Sequence, residues 1–273
     1  MQREVMNYSG YQFLKLDKKE NGVLFITMNR PEVLNATDED AHGELGRIWL
    51  DFDQDPETKV AVITGAGKGF CAGGDLRQNT PLNPETVSLT MENAVSIVRN
   101  MIELRKPVVS AINGAAVGAG LAIALLADIS IASDRAKLID GHTNLGVVAG
   151  DHAALIWPLL CGMARAKYYL LLCEALSGRE AADIGLVSKC VDHDQLLPTA
   201  LRIADRLASG SQWAIRGTKS VLNGWLRQNK PTFDYSWALE LASFFMPDNQ
   251  EGVRAFREKR APNFGGSGGP FGA

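Results

Sequence analysis

Two glycine-rich stretches hold residues whose types and spacing could do chemistry. GFCAGGDL (69–76) follows a β-branched run at 60–64, and NGAAVGAGL (113–121) follows another at 108–112. In each, a buried strand exits into small residues and a helix then begins. Ligands of open α/β sheets bind outside the carboxyl ends of strands, and a helix N-terminus offers free N–H groups and partial positive charge. Small residues let a ligand oxygen come close to the backbone. By position the best donors are the amides of Gly74 and Ala119. Converging on one carbonyl oxygen, they would form an oxyanion hole that meets developing charge and so acidifies the α-proton. The competing reading is that these glycines only allow strands and helices to pack tightly. A phosphate loop fits less well, because GAGKGF does not match G-x-x-x-x-G-K-[ST].

A polar concentration stands at 138–155: Asp140, His142, Asp151 and His152 in LIDGHTNLGVVAGDHAAL. A histidine beside an aspartate can act as an acid–base pair, the carboxylate fixing the imidazole tautomer and raising its basicity. Asp151 has a competing role, since Gly150-Asp151 ahead of HAALIWPLL reads as a helix N-cap. His152 reads as a first-turn surface residue, and Asp140 as either a support for the imidazole or solvent-facing. His42 and His193 read as exposed. No metal-ligand spacing is evident, and no metal is expected.

The elements that must position these groups alternate between strand and helix. A strand pair is expected at 11–16 and 22–28, joined by the turn DKKEN. Thr37 is positioned to cap a helix over 38–52, on which Leu45, Ile48, Trp49 and Phe52 follow helical spacing. Pro84 opens another helix, with Val87, Met91, Ala94, Val95 and Val98 on one face. The run at 118–128 is apolar all round and should be deeply buried, with a third strand at 128–132. Beyond residue 150 the pattern is mostly helical, with helices expected at 153–160, 165–173, 195–208, 213–226, 233–245 and 251–259. We divide the chain into a core at 1–195, a helical extension at 196–264 and a flexible tail at 265–273.

Bulk properties narrow the function classes. With 273 residues, 46% of them hydrophobic, the chain can bury a sizeable core. Its formal charge of −3 argues against a role in neutralising nucleic-acid phosphates. Cys71, Cys161, Cys173 and Cys190 form no C-x-x-C pair and read as reduced thiols. The start shows no apolar signal run and no segment could span a bilayer, so a soluble, cytoplasmic protein is expected.

Five motifs in order resemble the crotonase (enoyl-CoA hydratase/isomerase) superfamily: MNRPEVLNA (28–36), GFCAGGDL (69–76), the run from Lys106 to Ser133, LSGREAADIGLVSKCV (176–191) and EGVRAFREKRAPNF (251–264). The resemblance implies an α/β fold, a spiral of ββα turns with a C-terminal helical trimerisation region, assembling as trimers or hexamers. It implies an oxyanion hole at Gly74 and Ala119. It further implies that Leu34, Ala72 and Leu76 line a bound coenzyme A, which Phe256 and Lys259 reach from the C-terminal helix, often in a neighbouring subunit. No cofactor is implied beyond the coenzyme A of the acyl thioester substrate.

The departures define the chemistry. Typical hydratases carry a glutamate where Ala122 stands here, and a second where His142 stands; Glu32 replaces a common basic residue. With both carboxylates gone, His142 and Asp151 are the candidates for moving the proton. A similar His and Asp ahead of GD…WP occur both in proteins treated as enoyl-CoA hydratases and in β-diketone hydrolases, which perform a retro-Claisen cleavage without coenzyme A. The C-terminal EGVRAFREKRAPNF favours the thioester reading: an acyl-CoA enzyme, an enoyl-CoA hydratase foremost. A non-catalytic acyl-CoA binding protein is the further alternative.

Overall fold

The computed structural model describes residues 6–76 and 84–265. Among the described residues nine strands are laid down in chain order: β1 (Leu14–Lys18), β2 (Val23–Met28), β3 (Val60–Gly65), β4 (Val108–Ile112), β5 (Ala115–Val117), β6 (Ile129–Ser133), β7 (Lys137–Ile139), β8 (Leu176–Ser177) and β9 (Lys189–Val191). They form a six-stranded sheet in the order β1-β2-β3-β4-β6-β9 and a three-stranded sheet β5-β7-β8. Only β1–β2 and β7–β8 are antiparallel.

Both faces of the larger sheet are buried along β3 and β4, which is why those strands read as continuous apolar runs. Along β3, Val60 and Val62 face one cluster while Ala61 and Ile63 face the other. The first cluster is closed by α7 (Leu196–Ser209) through Leu196, Ala200, Ala204 and Ala208. The second packs against α1 (Glu39–Gln54), α2 (Pro84–Glu103) and α3 (Ala119–Leu126). All eight residues of α3 are buried, as its uniformly apolar sequence requires. Downstream lie α4 (Ala153–Cys161), α5 (Met163–Leu172), α6 (Gly178–Asp183), α8 (Gln212–Gln228), α9 (Lys230–Ser243) and α10 (Pro247–Glu258). No helix among the described residues is long and apolar enough to cross a membrane.

Three expectations need correction. The first strand starts at Leu14 rather than 11, because Glu44 takes the N–H groups of Gln12, Phe13 and Leu14 and anchors that entry. The cap of α1 is Asp38, whose carboxylate accepts from Ala41 N at 3.0 Å. Thr37 is held instead in an extended bridge to Gly74. The four short strands β5, β7, β8 and β9 were not legible as strands, being too short to show a period. Most of the tail expected to be flexible, 266–273, lies outside the described residues.

Candidate active site

Three parallel segments bring the candidate residues to one edge. β5 pairs with β7 in the register Val117↔Ile139, so the residues after each strand, Gly118-Ala119 and Asp140-Gly141-His142, leave side by side. The loop at 71–74 runs parallel to β5 on its other side, through the bridge Cys71↔Ala116 and the bond from Val117 N to Cys71 O at 2.9 Å. All three exits therefore open in the same direction.

The loops meet too closely for side chains. A Cβ at Gly73 would lie 3.0 Å from Val117 O, and one at Gly120 would lie 2.5 Å from Cys71 Cβ. Two buried asparagines, missed in the sequence, staple the loop that follows β3. The Asn35 amide donates to Ala66 O, Gly69 O and Phe70 O, and that of Asn113 donates to Gly65 O, Gly67 O and Gly69 O. Their only advance signal was polarity inside otherwise apolar motifs.

This scaffold orients the two candidate amides. Thr37 N donates to Gly73 O at 2.8 Å and Asp75 N donates to Thr37 O at 2.9 Å. Thr37 thus occupies the peptides on either side of Gly74, and backbone alternation turns the N–H of Gly74 toward the opposite, β5-facing edge. Ala119 is the first residue of α3, so its N–H has no acceptor within the helix. Behind them, His42 is buried and not exposed as its sequence context suggested. Its Nδ1–H donates to Asp38 O at 2.9 Å, leaving Nε2, 3.3 Å away, to accept from the Thr37 hydroxyl. Burial lowers its pKa against the Asp38 carbonyl, keeping the ring neutral.

Beside the two amides lies a buried acid–base cluster. His142 Nδ1 lies 2.8 Å from Asp140 Oδ1, while Nε2 stands 3.6 Å from Glu240 Oε1 and 3.9 Å from Asp151 Oδ2. The tight partner of His142 is therefore Asp140, which is buried rather than solvent-facing. Asp151 Oδ1 accepts from the peptide N of His152 at 2.7 Å and from its Nδ1 at 2.6 Å. It does not cap α4, whose N-cap His152 makes no side-chain capping bond. His152 is fully buried, which overturns its reading as a surface residue. His193 is half-buried and bonds the Ser133 hydroxyl at 3.0 Å, remote from the cluster in the sheet.

Glu240 of α9 was not anticipated. Its signal was a carboxylate on the stripe Phe233, Ser236, Glu240, Ser243, all buried. The serines clamp α9 to the loop before α4: Ser236 Oγ donates to Gly150 O at 2.8 Å, and Val148 N donates to Ser243 Oγ at 3.2 Å. A Cβ at Gly150 would fall 2.2 Å from Ser236 O and 2.8 Å from Glu240 Cβ. Gly150→Ala should therefore cost about 1–3 kcal/mol by overpacking. Thermal unfolding should show the midpoint falling by several degrees, and an unshifted midpoint would mean that α9 is not held at this contact.

The electrostatics follow from burial and charge. Burial opposes the charged form of His142, but the charges of Asp140 and Asp151, with hydrogen bonds to Asp140 and Glu240, raise its pKa well above the ordinary value. Burial likewise opposes ionisation of Asp151, and the charges of His152 and His142 overcome it. Glu240, raised by burial and by the charge of Asp151, reaches about 7. The trios Asp140–Asp151–His152 and His142–Asp151–Glu240 each place ligand atoms within 4.8 Å of one another. A cation there would have to displace the short imidazole–carboxylate bonds, so the arrangement suits proton handling better than metal binding.

The residues expected at a coenzyme A site are also placed. Leu34 O accepts from Ala72 N at 3.0 Å, joining those two segments. Arg257 Nε donates to Leu76 O at 3.0 Å, so α10 reaches this loop within a single chain. Phe256 and Lys259 flank that contact on the helix, both exposed.

Comparison with known proteins bears on the family and the fold. The enoyl-CoA hydratase/isomerase family pattern matches residues 18–267. The chain belongs to that family. Among its relatives, an (E)-benzylidenesuccinyl-CoA hydratase of Thauera aromatica is 35% identical over 251 residues, covering 90% of this chain and 97% of the relative. A 1,2-epoxyphenylacetyl-CoA isomerase of Escherichia coli is 34% identical over 256 residues, covering 92% and 98%. The crystal structure of an enoyl-CoA hydratase/isomerase from Mycobacterium paratuberculosis superposes with a TM-score of 0.86 at 33% identity, covering 90% of this chain and 99% of that one. The fold of this family member is thus the crotonase fold expected from its motifs, with a helical C-terminal region.

Proposed function

We propose that this enzyme hydrates an enoyl-CoA thioester. The Gly74 and Ala119 amides hold the thioester oxygen and stabilise the enolate, while water adds at the β-carbon. His142, supported by carboxylates on both ring nitrogens, moves the proton to or from water or the α-carbon. The observation that carries this reading is the shared edge: two inward-turned amides and one imidazole at the exits of parallel segments. His142 is also the most accessible member of its cluster, with 14% of its side chain exposed against 0, 9 and 4% for Asp140, Asp151 and Glu240. It is the member a substrate can reach.

Leu34, Ala72, Leu76, Phe256 and Lys259 are assigned to the coenzyme A moiety, which is part of the substrate; no other cofactor enters this reading. Exposed Trp213, Val221 and Trp225 on α8 support association of chains, as a trimer or a dimer of trimers. The assigned location is cytoplasmic. A retro-Claisen hydrolase of β-diketones shares the enolate and would suit the imidazole–carboxylate machinery. The contact of α10 with Leu76 beside the assigned coenzyme A residues favours the thioester.

The test is loss of enoyl-thioester absorbance with crotonyl-CoA and a cinnamoyl-type CoA ester. Wild type should hydrate at least one of them, and Ala119→Leu should abolish turnover by filling the oxyanion hole. Inertness toward both esters with cleavage of a β-diketone would move the assignment to the hydrolase. Full turnover by Ala119→Leu would displace the site.

A further inference from the structure

The acid–base cluster contains a histidine that the hydration step does not use. His152 is wholly buried, and its Nδ1–H and peptide N–H both point to Asp151 Oδ1. That carboxylate then presents its other oxygen, Oδ2, to His142 Nε2. On the far side of the His152 ring, Nε2 has no partner among the described residues, and neither has Asp140 Oδ2. Yet Asp140 and His152 belong to one trio with ligand atoms within 4.8 Å of one another. Each residue thus keeps one buried unpaired atom, a ring nitrogen on one and a carboxylate oxygen on the other, and the two side chains are neighbours of complementary chemistry. A small movement or one bridging water would join them.

Four side chains then alternate around a closed circuit: Asp140, His142, Asp151 and His152. Three of its sides measure 2.8, 3.9 and 2.6 Å, and on the fourth a ligand atom of Asp140 lies within 4.8 Å of one of His152. We propose that His152 is a positioning residue for the proton-moving His142, acting through Asp151 on one side and Asp140 on the other. This inference rests on the assignment of His142 to the proton step.

The physical need is clear from charge. Asp140 and Asp151 are buried within reach of each other, and buried carboxylates without counter-charges are costly. Two imidazoliums alternating with them balance the circuit. Glu240, facing it from α9, is raised to about 7 and can join as a neutral acid. His42, from α1, is held neutral by burial and adds no charge. With His152 removed, Asp151 loses the nearest charge that keeps it ionised against burial. Its proton affinity rises, and the imidazolium of His142 is held less strongly from that side.

His152→Gln tests this. Ring-nitrogen NMR can follow His142 directly, since the chain has only four histidines. The expected result is a His142 titration lowered by about one unit or more, a tenfold change in its proton affinity. Turnover of the hydrated ester should fall by about 10- to 100-fold, the scale for a mispositioned group, with KM unchanged. Should His152→Gln fail to fold, Asp140→Asn is read at His152 instead, because its effect on His142 is direct: a lowered His152 titration supports the Asp140–His152 side of the circuit, and an unmoved one overturns it. An unmoved His142 titration in folded His152→Gln overturns the proposal, whether or not turnover falls. If wild type hydrates no CoA ester, the titration still decides the circuit independently of the assigned reaction.

Discussion

Gly74→Pro should lower hydration by about 10²–10³-fold, the usual cost of one oxyanion donor, at close to wild-type stability. Proline removes the N–H, and Gly74 N–H makes no hydrogen bond among the described residues. The bridge that holds the loop survives, because Thr37 bonds Gly73 O and Asp75 N on either side. The site has room, since a Cβ at Gly74 meets nothing within 4 Å. Its φ is not in the left-handed region that proline cannot adopt. The residue before it is Gly73, which lacks the Cβ that usually clashes with a following proline ring. Gly74→Ala is the control: it keeps the N–H and should stay near wild-type turnover. The measurement is kcat/KM for the hydrated ester beside a thermal melt. A proline variant that melts normally and turns over normally would remove Gly74 from the oxyanion hole.

That pairing of unused amide and vacant Cβ space shows what the sequence could and could not tell. The donors were legible because their physical requirement is local: a strand exit, small residues, a helix start. Ala119 sits at the first turn of α3 where that argument placed it. The long apolar strands and the helices from 153 onward, apart from the six-residue α6, were legible for the same reason, since periodicity is carried by neighbouring residues. What brings the donors to the imidazole was not. β5 and β7 have three residues each, too few to show alternation, and their parallel register is a property of two segments 20 residues apart.

The acid–base cluster failed at the same level. Asp140, His142, Asp151 and His152 were visible as a polar concentration, but which carboxylate served which ring was a matter of loop geometry. Asp151 was expected to be the close partner of His142; the chain folds so that Asp140 takes that place and Asp151 turns to His152. Glu240 lay farthest from view, almost 100 residues along the chain on a helix docked through serines. A helical stripe containing a carboxylate instead of an apolar residue was its one local trace. His42 and His152 were misread because polar side chains are mostly exposed; Asp38 and Thr37 hold both ring nitrogens of His42, and Asp151 holds Nδ1 of His152.

His142→Ala should reduce turnover at least about 10²-fold, the scale for a general acid–base group. Neither aspartate can replace it: Asp140 is fully buried, and Asp151 is committed to His152. The same substitution should also destabilise the fold, with a pH dependence that identifies the cause. His142 is raised in the folded state by Asp140, Asp151 and Glu240 against the opposing effect of burial. Its stabilisation is therefore fully present below the unfolded histidine value of about 6.5 and is lost as pH rises through the higher folded value. Breaking such a buried pair costs about 3–5 kcal/mol, an upper figure here because part of the ring meets solvent. Urea unfolding of both proteins from pH 6 upward should show the gap widest at the acid end and narrowing as pH rises. Glu240, about 7 in the folded state, acts in the same direction for wild type: a carboxyl raised above its unfolded value loses stability as pH rises from about 4.5 to 7. Without the imidazolium that lowers it, Glu240 stays protonated to higher pH in the variant and goes on losing stability above pH 7, which offsets part of that narrowing. A gap independent of pH would mean that His142 is held by packing and carries no shifted proton. Retained turnover would pass the proton step to Glu240, the one remaining group of the cluster poised near neutrality.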